Sequence, residues 1–346
     1  MKMNNIIYDK VLGCLLGCAI GDAMGAVTEN LTFDQIREKY NGKVTEMLVP
    51  DKSAFAYGNC AGQVTDDFSQ TYLLTQQILK HGKVEKEAVE DMLIDWSHMP
   101  VYFNRFAGPT TRAAIAALQE KIGEKKPDTE KKVVDYASQA TNGSAMKIAP
   151  AGLFAYDCID EAVQNAFLIS SVTHNNQLAI SGACAVAAFI SASLKPNATL
   201  YTAIEAAFYG AEKGEQLGMQ YGHTVGGASV KERMNLAISI ALSGLDKEVK
   251  MRKLYEIVGS GLHISEAVPA AIGIIVACKG DPWDTIVEAV NIGYDTDTVA
   301  AIAGSMAGAL NGTRNIPDGY LEIVEKANDM EIQKLAEKVC DFIKEK

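Results

Sequence analysis

The sequence predicts an all-α protein, a single compact many-helix domain over residues 1–346. Three observations carry that reading. Apolar residues recur at helical spacing along nearly the whole chain. Alternating β-branched and aromatic residues, the mark of strands, are scarce, and "KVTEMLVP" is the best short exception. Gly13, Gly17, Gly21 and Gly25 recur every fourth residue, which on a helix makes one smooth stripe that another backbone can approach closely.

Each element follows from its own pattern. "VLGCLLGCAIGDAMGA" loosely imitates a secretory signal, but the apolar core before Cys14 or Cys18 is too short, and Asp9 and Asp22 bracket it. Glycine costs a helix about 1 kcal/mol against alanine, so the stripe implies tight packing that offsets it. Amphipathic spacing predicts helices over 65–81, 84–97 and 109–121, a charged surface loop at "KIGEKKPDTEKK", and a helix over 131–140. Helices over 160–171, 176–194 and 200–213 come next. The stretch "NNQLAISGACAVAAFISASL" is Ala- and Ser-rich rather than Leu-rich, which suits the centre of a soluble bundle better than a membrane span. "AFYGAEKGEQLGMQYGHTVGGAS" reads as a long glycine-rich loop, followed by helices over 229–243, 250–258, 266–278 and 283–291. Ala300, Gly304 and Gly308 repeat the small-residue stripe while Val299, Ile302, Met306 and Leu310 supply bulk, and a helix over 330–344 closes the pattern. No internal repeat or Pro/Ser linker divides the chain.

Composition narrows the function classes. A chain that is 48% hydrophobic is globular rather than disordered. A formal net charge of −11 argues against nucleic acid as a partner, and no segment argues for a membrane. The seven cysteines form no CxxC pair or Cys/His cluster, so they read as reduced, mostly buried thiols of a cytoplasmic protein.

The chemistry gathers at two helix starts. "GQVTDDFSQTYLLTQQIL" sets Thr65, Asp66 and Asp67 ahead of one helix, and "NIGYDTDTVAAIAGSMAGAL" sets Asp295, Asp297 and Thr298 ahead of another. One reading is helix capping, since Thr and Asp are good N-caps and first-turn acids suit the helix dipole. Capping needs one oxygen, however, and each start offers several. Carboxylates with hydroxyls and no Cys or His form a hard oxygen site, suited to Mg²⁺, Mn²⁺ or Ca²⁺ rather than Zn²⁺ or Cu²⁺.

Two further segments complete a pattern: "GCAIGDAMGAVTE", with Gly21, Asp22, Gly25 and Glu29, and "TNGSAMKIAP", with Asn142, Gly143, Ser144, Met146 and Lys147. Together with the TDD and DTDT motifs, in this order, the sequence resembles the ADP-ribosylglycohydrolase family. The resemblance implies an all-α fold with two Mg²⁺ (or Mn²⁺) ions at the base of a cleft. It further implies cleavage of the glycosidic bond at ribose C1 of a small-molecule or protein-linked ADP-ribosyl substrate. Carried over by residue, Thr65, Asp66, Asp67, Asp295, Asp297 and Thr298 match the metal ligands. Glu29 matches a glutamate suited to proton transfer, with Asp66 and Asp67 beside it as catalytic candidates. Asn142, Gly143 and Ser144 match a loop that touches ribose and phosphates, and His174 matches a substrate-contacting histidine.

The sequence departs from the family pattern at four places. Phe68 follows TDD where threonine is usual, Lys147 replaces arginine, Tyr294 precedes Asp295 where glycine is common, and Thr141 stands where glycine often precedes Asn–Gly. These keep alternatives open: hydrolysis of a smaller nucleoside or ribosyl metabolite, or a non-catalytic ADP-ribose-binding relative. Arg105 and Arg112, flanking a glycine–proline turn, are a phosphate-facing pair or ordinary surface arginines.

Overall fold

A computed structural model describes residues 2–125 and 135–345 of the chain. Helices α1 (Lys2–Gly25), α2 (Phe33–Lys39), α3 (Asp66–His81), α4 (Lys86–Ser97), α5 (Pro100–Phe106) and α6 (Pro109–Lys121) come first. After the loop at 141–148 follow α7 (Ala149–Leu153), α8 (Ile159–Ser171), α9 (Gln177–Ser193), α10 (Leu200–Tyr221), α11 (Val230–Ala241) and α12 (Lys247–Lys253). The chain then forms α13 (Ile264–Ala277), α14 (Pro282–Val290), α15 (Thr296–Asn311), α16 (Tyr320–Asn328) and α17 (Ile332–Glu345). No strand occurs among the described residues. The "KVTEMLVP" segment is instead held by a side chain that imitates strand pairing. Asn291 accepts from Val44 N at 2.8 Å and donates to Val44 O at 2.8 Å.

The pairing of α1 with α15 organises the molecule, and glycine makes it possible. A Cβ added at Gly17 would lie 2.3 Å from the Gly304 carbonyl oxygen, and one at Gly308 only 1.9 Å from that of Gly13. No other residue type fits such a contact. The two stripes therefore mesh in one register, Gly17 on Gly304, Gly21 on Ala300 and Gly25 on Asp297. That register places the ends of both helices together.

Around this pair, α9 runs through the core with every residue buried. Two of its serines bond neighbouring carbonyls, Ser181 to Ala211 O at 2.9 Å and Ser191 to Ala155 O at 2.6 Å, whereas the Ser193 hydroxyl is buried without a partner. Lys10 reaches from α1 to close the end of α9, donating to Ser193 O at 2.6 Å and Lys195 O at 2.8 Å. No helix among the described residues is long and apolar enough to cross a membrane.

Three readings of the sequence need correction. Residues 135–140 of the expected 131–140 helix form bends and a turn, begun where Asp135 Oδ1 accepts from Ala137 N at 3.0 Å; 131–134 lie outside the described residues. The supposed loop from residue 207 is helical up to Tyr221. Its glycines pack rather than bend: a Cβ at Gly210 would lie 2.3 Å from the Cys184 carbonyl oxygen of α9. Last, α2, α5, α7 and α16, of five to nine residues each, had no periodic signal long enough to predict them.

Candidate active site

Where the stripe ends, the acids meet. A Cβ at Gly25 would fall 2.4 Å from the Asp297 Cα. Thr296 Oγ1 donates to Gly25 O at 2.9 Å, and Thr28 Oγ1 donates to Val290 O at 2.6 Å. These bonds tie the turn that carries Glu29 to the end of α14 and the start of α15. Glu29, Asp295 and Asp297 each bring an oxygen within 4.8 Å of the others.

α3 approaches the same point and is anchored by Asp22. The Asp22 carboxylate accepts from Thr65 N at 2.9 Å and Phe68 N at 2.9 Å, so an α1 side chain caps α3 from outside. The Thr65 hydroxyl lies 2.8 Å from Asp22 Oδ1 and 3.1 Å from Asp67 Oδ2, and its single proton serves one at a time. Thr298 of α15 lies close enough to both Asp67 and Asp295 to favour their charged forms, and its N donates to Asp297 Oδ1 at 2.9 Å. The two acidic helix starts thus converge across 228 residues of sequence, the separation of Asp67 and Asp295.

The capping reading can now be decided. Thr65 and Asp295 both occupy N-cap positions, yet neither side chain bonds the backbone of its own helix. The surplus oxygens turn instead toward one another, with two helix N-termini behind them.

Burial sorts these acids. Asp67, Asp295 and Asp297 are buried, as are Thr65 and Thr298, whereas Glu29 and Asp66 are partly open. Desolvation, then the charges of Asp295 and Asp66, push Glu29 up to about 8. Desolvation and the charge of Asp22 bring Asp66 to about 7, and burial lifts Asp22 to about 6. Asp67 and Asp297 are raised well above the carboxylate range, first by burial and then by neighbouring carboxylates.

The segment after Thr141 forms the adjoining wall. Asn142 Nδ2 donates to Asp295 Oδ2. Ser144 is buried, with its hydroxyl donating to Ala179 O at 3.1 Å, while Gly143 stays partly open. His174 lies beneath this loop, its ring nitrogens 2.7 Å from Thr173 Oγ1 and 3.0 Å from Thr141 Oγ1. It is 1% exposed, and burial drives its pKa well below 6.5, so it is neutral and supports the loop from below. Lys147 is buried too, its ammonium donating to Gly143 O at 2.5 Å, and desolvation lowers it to about 8. Phe68 packs inside with Tyr72, ring centroids 6.1 Å apart. Arg105 and Arg112 spend their donors on protein: Arg105 on Asn59 Oδ1 at 2.6 Å, and Arg112 on Ala107 O and Phe103 O, each at 2.8 Å.

Sequence reasoning quoted Asp22 but gave it no role. Its only signal was an acid within an otherwise apolar helical run, which the end of a stripe does not explain.

The donor set fits a hard divalent cation. Asp67 Oδ1 and Glu29 Oε2 are buried without a hydrogen-bond partner, a costly state for carboxylate oxygens. The charges that raise these acids are those a cation would offset, and all first-choice donors are oxygens.

Comparison with known proteins gives the family. The family model described as ADP-ribosylglycohydrolase matches residues 3–346. The chain is similar to ADP-ribosylarginine hydrolase Tri1 of Pseudomonas putida, 30% identical over 339 residues, covering 96% of this chain and 78% of that one. It is 29% identical to protein YegU of Escherichia coli over 96% of this chain and 97% of that one. It is also 24% identical to ADP-ribosyl-[dinitrogen reductase] glycohydrolase of Rhodospirillum rubrum, over 95% and 94%. A solved structure titled ADP-ribosylglycohydrolase-related protein complex shares the fold, with a TM-score of 0.65 over 98% of this chain and 99% of that one at 22% identity. The chain belongs to the ADP-ribosylglycohydrolase family, hydrolases that cleave the glycosidic bonds of ADP-ribosylated substrates.

Proposed function

We propose that this chain is a divalent-cation-dependent hydrolase of the bond at ribose C1 of an ADP-ribosyl compound. Two Mg²⁺ ions (or Mn²⁺) would be held by Thr65, Asp66, Asp67, Asp295, Asp297 and Thr298. The observation that carries the assignment is the sorting of one oxygen cluster into buried holders and two partly open carboxyls, Glu29 and Asp66. When bound, the ions supply Lewis acidity and neutralise the crowded carboxylates.

The protein's own groups divide the remaining work. Glu29, one of the two partly open carboxyls of the cluster, is placed to give a proton to the departing group. Asp66, the other partly open carboxyl, is placed to accept a proton from the attacking water, with Asp67 buried as the next residue of the same helix. Asn142 fixes Asp295, while Gly143 and Ser144, supported by His174, present backbone to the sugar and phosphates. A small-molecule or protein-linked ADP-ribosyl group is the substrate class, and the unpaired cysteines suit a reducing cytoplasm.

Incubation with ADP-ribosylated arginine or serine peptides and Mg²⁺ should release ADP-ribose, and EDTA should stop it. Absence of turnover on any ribosyl substrate overturns the assignment. Tyr294, half-exposed beside Asp295, is a pocket feature that favours a second reading, a smaller ribosyl metabolite as substrate. Paired substrates with and without the diphosphate separate the two.

A further inference from the structure

We infer that Ser260 is a positioning residue of the site, the point that holds Asp295 of the acidic cluster in register with the Asn142 loop. The inference rests on the proposed cation-dependent reading and goes beyond it by giving a role to a residue outside every acidic motif.

The backbone before Asp295 is the first observation. Gly293 has φ +98° and Tyr294 φ +68°, two successive residues in the left-handed region, where a bulky aromatic is a genuine outlier. Such strain persists only where surroundings enforce it. Two segments do so from opposite sides. On one, Tyr294 N donates to Leu31 O at 2.8 Å and Asn30 N donates to Tyr294 O at 2.7 Å, next to Glu29. On the other, Ser260 Oγ donates to Gly293 O at 2.7 Å, while its own carbonyl accepts from Asp295 N at 3.1 Å. Ser260 thus grips the residues on both sides of Tyr294 and fixes the turn that leads into Asp295.

The path of residues 260–264 is the second observation. It leaves a π-helical turn at Leu254–Val258, a rare form that recurs at functional sites. Leu262 O then accepts from Asn142 N at 2.9 Å, and Ile264 N donates to Ala140 O at 3.0 Å. One short strap therefore pairs with the start of α15 at Ser260 and with the Asn142 loop at Leu262 and Ile264. The Asn142 amide and the Asp295 carboxylate bond each other across two backbones that this strap sets side by side.

The strap is itself braced from behind. Glu266 Oε2 accepts from Gly261 N at 3.1 Å. Arg233 donates to Val258 O and to Ser265 O, each at 3.3 Å, and lies 3.6 Å from Glu266 Oε1. Ser260 is 2% exposed, so its hydroxyl acts on the cluster through the backbone and touches no substrate. Removing that hydroxyl takes a hydrogen bond from the buried Gly293 carbonyl. The strained turn can then relax, and Asp295 moves with it.

The test compares wild type with Ser260→Ala and with Ser191→Ala, a matched loss of a buried serine-to-carbonyl bond in α9. Mn²⁺ titration followed by electron paramagnetic resonance should find the Kd of Ser260→Ala about tenfold weaker and that of Ser191→Ala unchanged. An unchanged Kd in Ser260→Ala, or an equal loss in Ser191→Ala, overturns the role. Ser260→Gly, which lacks the same hydroxyl, takes the place of Ser260→Ala if the latter does not fold. Unfolding of both while Ser191→Ala folds makes the bond a structural one and overturns the role as well. If wild type binds no Mn²⁺, the cation reading fails, and Ser260 is judged in EDTA by NMR of ¹⁵N-asparagine-labelled protein. The Asn142 side-chain resonance, assigned by its loss in Asn142→Ala, is displaced from the free-amide position by the bond to Asp295. The Ser260 variant should move it back toward that position; an unmoved resonance overturns the inference.

Discussion

Replacing Glu29 by Gln should stabilise the protein and disable it at once. Without a divalent cation, burial and the charges of Asp295 and Asp66 hold Glu29 near 8 against an ordinary value of 4.5. A raised carboxyl binds its proton more tightly folded than unfolded. Stability therefore falls as pH climbs from 4.5 toward 8, and the loss is absent below that window. Integrating the shift gives a ceiling of about 4 kcal/mol at pH 7.5 and about 1 kcal/mol at pH 5. Glutamine carries no charge and escapes this cost. Urea unfolding followed by circular dichroism, in EDTA, should find Glu29→Gln the more stable protein at pH 7.5, with the gap closing by pH 5. Saturating Mg²⁺ at a hundredfold over its Kd should add about 2.7 kcal/mol to wild type and less to the variant, whose turnover should drop by about 10²–10⁴. If Glu29→Gln is less stable than wild type at pH 7.5 in EDTA, the carboxylate is already compensated, and the electrostatic account of the cluster is wrong.

Three further outcomes are expected. Asp22→Asn presents an amide to N–H donors of α3 and should cost about 2–3 kcal/mol with loss of Mg²⁺-dependent turnover, measured by urea midpoint and product release. Gly308→Ala drives a methyl to within 1.9 Å of the Gly13 carbonyl oxygen, so it should destabilise by about 3 kcal/mol or more despite alanine's better helix propensity; a neutral midpoint would refute the α1–α15 register. His81, bonded to Glu85 at 2.9 Å and Asp91 at 3.0 Å, has its pKa raised above 6.5 by those two carboxylates. The stability it contributes is full below 6.5 and lost as pH rises through the raised value, so His81→Gln should lower the urea midpoint at pH 6 and leave it unchanged at pH 9.

Much of this architecture could be read from the residues because it rests on local pattern. The stripe at Gly13, Gly17, Gly21 and Gly25 announced a close helix contact, and the matching stripe at Ala300, Gly304 and Gly308 was visible too. That each is the other's partner was not, since helical periodicity carries no record of which faces meet. The same spacing at Gly210, Gly214 and Gly218 was taken for a loop, because charged and polar residues between the glycines hid the buried face. At the site, the motifs named the acids but not their division of labour. Capping and cation binding demand the same residue types at a helix start, and only the structure shows that Thr65 and Asp295 do not cap their own helices. Tyr294 was noticed as a departure, yet its left-handed backbone has no sequence signature.

The register of α1 on α15 has a consequence for how the protein comes to exist. A ribosome releases Gly13 to Gly25 long before Ala300 to Gly308, so the nascent chain must shelter an unmatched groove through most of synthesis. Closing that gap spends loop entropy over nearly three hundred residues, and only the closure brings Glu29 together with Asp295 and Asp297. A chain cut short before α15 would hold Glu29 and Asp66 but no counterpart for them, which makes hydrolysis itself a report that translation reached the final helices.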